Sequence, residues 1–187
     1  GLWGAPLKII NAFPPPMQYS ESPQGVGAVQ NISTLSIHNS SDGQHIGPQG
    51  LMVFHDYDEA LNYAKEVNKP LMIDFTGHAC VNCRKMEEQV WSDQNVKNML
   101  ANDVVLVSLY VDERINLPKE EQYVTTMAGK EKKVKTTGDK WMVFQANTFG
   151  TNSQPYYVML DLNESQLIEP ANYQDYGSVS LFKDWLE

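Results

Sequence analysis

The chain reads as an α/β domain, a central sheet flanked by helices, and three stretches carry that expectation. Leu71 to Phe75 is a short apolar run that leads into a turn and then into Cys80. Arg84 to Gln89, directly after Cys83, is polar and helix-forming. Val104 to Val111 is an almost unbroken apolar, β-branched run, the pattern of a central strand covered on both faces. Strand, helix and strand in that order give a right-handed crossover unit between parallel strands.

Residues 1–50 read as a tether. Gly1 to Phe13 is mildly apolar, with Trp3, Leu7, Ile9 and Ile10, and then meets Pro14-Pro15-Pro16. Beyond it stand Ser, Gln, Asn and Gly with isolated aliphatic residues. Such a composition buries too little apolar surface to offset its ordering entropy, with a short strand expected around Asn31 to Ile37. The sequons at Asn31 and Asn39 read as chance matches.

A domain is expected over 51–187. Leu51 to Phe54 suits an edge strand. Asp56, three before Glu59, opens a helix in a capping-box arrangement. Tyr57, Ala60, Leu61, Ala64 and Val67 then follow a one-sided helical period, until Asn68 and Pro70 end it. After the helix at Cys83, with Met86 and Val90 on one face, Ser92-Asp93 starts a new helix before Val96, Met99 and Leu100. Residues 112–137 are polar and read as a surface insertion, with Lys130, Lys132, Lys133 and Lys135 on a solvated loop. A helix from Asp139 to Phe149 ends at Gly150, a suitable residue after a helix C-terminus. A strand from Tyr156 to Leu162, a turn at Asn163-Glu164 and a hairpin strand at Gln166 to Ile168 follow. A closing helix from Ser178 presents Val179, Phe182, Trp185 and Leu186.

The charge balance excludes some functions. A net charge of −9 argues against a nucleic-acid partner, because nothing offsets phosphate repulsion. No run approaches the roughly 18 to 20 apolar residues of a membrane helix. The sequence begins at Gly1 and reads as a piece of something longer, so a missing signal peptide says nothing of a parent protein.

The chain's two cysteines, Cys80 and Cys83, carry the chemistry. A cysteine where a strand turns into a helix puts its sulfur at the helix N-terminus, where backbone N–H groups and the macrodipole favour the thiolate. A second thiol three residues on can release a partner caught by the first. A purely structural disulfide is the weaker reading, because so short a loop constrains the unfolded chain little. A zinc site would need two more ligands, with His55 and His78 nearest, and no second C-x-x-C exists. Covalent haem needs His after the second cysteine, where Arg84 stands.

With C-x-x-C at the head of the second helix, the element order resembles the thioredoxin fold. Lys69 to Phe75, Cys80 to Glu87, Val90 to Asp93 and Asn152 to Asp161 are similar to the C-terminal periplasmic domain of the thiol:disulfide interchange protein DsbD family. The opening Gly1 to Leu7 is similar to the exit of that family's membrane part. The likeness covers about residues 51–187 well and the tether only loosely.

The resemblance implies specific roles. Cys80 becomes the exposed nucleophile and Cys83 the resolving thiol, with no cofactor beyond their disulfide and no metal. Asp74 becomes a buried acid under the pair, as the apolar neighbours Ile73 and Phe75 also suggest, and Glu87 a second acid opposing the helix dipole. Pro155 takes the place of a cis-proline facing the cysteines, with Gln154 and His78 on the rim. Ala79 stands where many relatives carry Trp, and 112–150 is longer than a minimal domain needs; both bear on partner choice. The implied partners are an upstream membrane domain of the same protein and periplasmic thioredoxin-like proteins. The implied place is the periplasmic side of a bacterial inner membrane. A free-standing reductase or isomerase, or a redox-inert binding module, stays open.

Overall fold

The computed structural model describes residues 43–187. The strand expected around Asn31 to Ile37 and both sequons lie outside the described residues. At the centre is a four-stranded mixed sheet whose strands lie in the order 105–110, 71–76, 156–160 and 171–172. Strand β3 (Leu71–Thr76) pairs in parallel with β4 (Val105–Tyr110), with Asp74 opposite Ser108. On its other side β3 runs antiparallel to β7 (Tyr156–Leu160), with Asp74 opposite Tyr157. The parallel β3–β4 pair matches the expected crossover, which is made through α2 (Val81–Gln89) and α3 (Gln94–Asn102).

Alternation along β3 gives the sheet two unlike faces. Leu71, Ile73 and Phe75 pack with α1 (Tyr57–Val67) and with Trp141 of α4 (Thr137–Phe149). Met72 packs on the opposite face with Met86 of α2, Val96 and Leu100 of α3, and Phe182 and Trp185 of α6 (Val179–Leu186). Asp74 and Thr76 share that second face by the same alternation.

Helix ends follow the residues that cap them. Asp56 Oδ1 accepts the N–H groups of Asp58 and Glu59, and Asn68 closes α1 in the left-handed region at φ 54°. Asp93 and Ser178 cap α3 and α6. Helix α4 starts two residues before the expected Asp139, because Thr136 and Asp139 form a capping box around its first turn.

Four expectations are corrected. The tether stretch contributes β1 (His45–Ile46), antiparallel to β2 (Met52–Val53), and a one-turn helix at Pro48–Gly50. The edge strand at Leu51 to Phe54 shrinks accordingly, since only Phe54 bridges to the main sheet, at Val107. The lysine-rich insertion is not a loop. It holds a hairpin of β5 (Tyr123–Met127) and β6 (Lys130–Val134) around Ala128-Gly129, both at positive φ, the backbone of a tight two-residue turn. Val134 anchors it, fully buried.

The last correction concerns Gln166 to Ile168, which makes one bridge, Gln166 to Leu160, and leaves Leu167 and Ile168 exposed. The turn is held by Asp161 Oδ1, which takes the N–H groups of Asn163 and Ser165. The fourth strand is β8 (Ala171–Asn172), where buried Ala171 meets Tyr157, and a four-residue helix α5 (Tyr173–Tyr176) follows it.

Candidate active site

The site is built where β3 gives way to α2. Cys80 has extended backbone and caps α2, its N–H donating to Gly77 O at 3.1 Å. The N–H of Cys83 donates to Cys80 Sγ at 3.2 Å. A helix end therefore presents its free donors to that sulfur, the arrangement that favours negative charge on it. The two cysteines are joined as a disulfide with Cα atoms 5.3 Å apart. Cys80 is half-buried, whereas Cys83 is 1% exposed, so only the first sulfur can meet another protein.

The turn before Cys80 is held by a residue that the sequence reading did not single out. Asp112, just past β4, accepts the backbone N–H of His78 at 2.8 Å and of Ala79 at 3.0 Å. Gly77 lets that carboxylate come close, since a Cβ there would meet it at about 3.1 Å, a tight contact that Asp112 would have to yield to. His78 is exposed; its ring stacks on Tyr110 at 4.2 Å and its Nε2 lies 2.9 Å from Glu113 Oε2. That contact holds Glu113 below the ordinary glutamate range. His55, the other histidine considered for zinc, turns Nδ1 to Ser108 O and stacks on His45. Among the described residues, no group of three or more His, Cys, Asp or Glu is placed to hold a metal ion.

Between α4 and β7, the Gln154–Pro155 peptide is cis and Pro155 is buried. Gln154 donates to Gln145 Oε1 at 3.0 Å and to Asn152 O at 2.7 Å, while Gln145 donates to Ser153 O at 2.8 Å. Gln145 of α4 is fully buried and fixes this loop. Ala79, Cys80, Val81, Asn82, Asp112 and Gln154 line one open cleft of about 350 Å³. Three of the expected rim residues therefore surround Cys80: Ala79 and Gln154 in the cleft wall, His78 beside it.

Asp74 and Glu87 are buried on the α2 side of the sheet, where the buried cation of Arg84 acts on both. Asp74 is 3% exposed and accepts from Ser108 Oγ at 3.0 Å. Its burial pushes the carboxyl up to about 7, against the opposing effects of Ser108 and Arg84. Glu87 is 6% exposed and is pushed up to about 8, again by burial, with Arg84 pulling the other way and Asp74 adding to the rise. Arg84 is 5% exposed; its Nη2 lies 2.7 Å from Glu87 Oε1 and 3.4 Å from Thr76 Oγ1. The polar run after Cys83 gave no sign of this, because a charged residue in a helix is usually solvated. The three-residue spacing of Arg84 and Glu87 was the available signal.

With this geometry in view, known proteins place the chain. A sequence model of a thioredoxin-like family matches residues 53–161. The chain belongs to the thioredoxin-like family. No curated protein matches it at the sequence level. Among solved structures it is similar to a DsbH oxidoreductase, with 18% identity and a TM-score of 0.51, over 83% of this chain and 90% of that one. A thioredoxin from Thermus thermophilus is similar at 20% identity, TM-score 0.49, over 73% and 84%. A disulphide isomerase from Xylella fastidiosa Temecula1 is similar at 14% identity, TM-score 0.46, over 69% and 84%. At these identities the likeness concerns the fold. The thioredoxin-like architecture and the joined Cys-x-x-Cys pair are thus features of this chain.

Proposed function

We propose that this domain is a protein thiol–disulfide oxidoreductase. One observation carries the reading: a half-buried Cys80 sulfur at a helix head, in an open cleft, bonded to a sealed Cys83. In the reducing direction the Cys80 thiolate attacks one sulfur of a partner disulfide. The partner S–S bond breaks, a mixed disulfide forms, and one partner thiolate leaves and takes a proton. Cys83 then gives up its proton and attacks Cys80 Sγ, the Cys80–partner bond breaks, and the second partner thiol is freed. Two electrons pass to the partner and the Cys80–Cys83 bond is restored.

Asp74 is the proton acceptor for Cys83, supported by its burial on the α2 side of the sheet and by a carboxyl lifted toward neutrality. Glu87 adds a second raised acid and keeps the thiols sluggish toward wrong partners. His78, Ala79, Gln154 and Pro155 form the rim on which the partner chain rests.

The finer reading rests on the resemblance of residues 69–75, 80–87, 90–93 and 152–161 to the DsbD periplasmic domain. Electrons then arrive from a membrane-embedded domain upstream in the same protein. They leave to periplasmic thioredoxin-like partners that serve disulfide isomerisation or cytochrome c maturation. Among the described residues no helix is long and apolar enough to cross a membrane, so any such domain would lie outside them.

Insulin reduction with dithiothreitol is the test. The wild-type chain accelerates precipitation and Cys80→Ser loses that effect; equal, flat curves for both would leave a redox-inert module. A multi-span hydrophobic segment encoded immediately before Gly1 would support the DsbD reading over a free-standing reductase.

A further inference from the structure

We infer that Arg84 is a positioning residue that sets the proton count of the two buried acids on the α2 side of the sheet, holding Asp74 and Glu87 at one proton between them. This rests on the reading of Cys80 and Cys83 as an exchanging pair. The basis is geometric. The Arg84 guanidinium is buried, pairs with Glu87 through one nitrogen, and reaches Thr76. Its Nε is buried too and meets no acceptor among the described residues. Among the described residues, Glu87 is the one carboxylate Arg84 forms an ion pair with. Asp74 lies on the same face as Thr76, two residues earlier, with Ser108 and Tyr157 opposite it in the flanking strands.

Arginine does not deprotonate in proteins, so the cation count here is fixed at one. Ionising both acids leaves an uncompensated negative charge in an apolar layer, and protonating both leaves the guanidinium unpaired; each is costly. One shared proton makes the cluster neutral. The other groups facing it do not change that count. Tyr157 is held neutral by burial, Ser108 has no charge, and Glu88 is exposed. Lys85 turns away toward the Tyr173 ring, and Gln49 bonds the Glu87 carbonyl.

The count matters in the resolving step. Cys83 must pass its proton to an ionised member of the pair before its sulfur attacks Cys80 Sγ in the mixed disulfide. The departing partner thiolate takes a proton from solvent, and the doubly protonated pair returns one to solvent. Without Arg84 the acids both hold protons at neutral pH, and Cys83 has no acceptor.

The experiment compares the full oxidised chain with Arg84→Gln and Arg84→Lys by infrared spectroscopy. The carbonyl band of protonated carboxyl groups is read against an Asp74→Asn, Glu87→Gln double variant. At pH values between about 7 and 8, where burial has lifted both acids, wild type and Arg84→Lys should show one buried protonated carboxyl and Arg84→Gln two. Insulin reduction at neutral pH should fall at least about tenfold in Arg84→Gln, the loss of a general base, and recover as pH rises. A wild-type count of zero or two, or an unchanged count in Arg84→Gln, overturns the inference. If Arg84→Gln fails to fold, the wild-type and Arg84→Lys counts decide it. The count does not depend on turnover, so an inactive wild type with one shared proton would remove the oxidoreductase reading alone.

Discussion

The two faces of the central sheet differ in what they bury. Toward α1 and α4, Leu71, Ile73 and Phe75 meet aliphatic and aromatic side chains, with Phe75 against the rings of Phe144, Phe149 and Tyr156. Toward α2, the same strand puts Asp74 and Thr76 beside Arg84 and Glu87. One face gives cohesion, which is roughly proportional to apolar area. The other gives up some of it to keep charges next to a disulfide. Buried ion pairs are weak contributors to stability, and replacing them with apolar groups is often neutral or favourable. Charge retained at that depth therefore points to chemistry.

Substitutions can break this contrast. Phe75→Ala, on the apolar face, should cost about 3–5 kcal/mol in denaturant unfolding, while the folded fraction keeps its exchange activity. Equal loss of activity per folded molecule would show that the two faces are not separable.

Asp74→Asn should act through pH instead. An acid raised to about 7 in the fold but ordinary near about 4 in the unfolded chain binds more protons when folded. Its stabilising contribution is complete below about pH 4 and is lost as pH rises through about 7, amounting to about 4 kcal/mol at most. Unfolding measured across this window should fall with pH less steeply in Asp74→Asn than in wild type. Parallel slopes would mean that the carboxyl is ionised throughout.

Smallest is Ser108→Ala, which removes the hydroxyl donating to Asp74. It should cost about 1 kcal/mol and lift the Asp74 midpoint further, visible as an upward shift of the pH-dependent limb. An unmoved midpoint would show that the hydroxyl does not favour the ionised form.

The apolar face was legible in the sequence because alternation and helical period both mark it: Tyr57, Ala60, Leu61 and Ala64 stand where the one-sided pattern put them. Cys80 and Cys83 were legible through spacing alone. Arg84 was not, since a charged residue next to Lys85 reads as solvent-facing, and only the tertiary fold places it against Thr76. Asp112 follows a strand end, and its bonds to His78 and Ala79 span more than 30 positions. The hairpin over 123–134 was missed for a local reason. Ala128-Gly129 lacks the Asn-Gly or Asp-Gly signature of such turns, and three lysines in β6, with Lys135 just after it, made the segment look like a solvated loop. Gln166 to Ile168 misled in the opposite sense, its aliphatic residues lying exposed while the small Ala171 entered the sheet.

The carboxylate of Asp112 has a bearing on engineering. Grafting the Gly77–Cys83 loop onto another scaffold would transplant the reactive sulfurs without their latch, because the latch comes from the neighbouring strand. The recipient would have to supply its own acid at the end of that strand, with room for it beside residue 77. Otherwise the borrowed cysteines would sit on slack backbone.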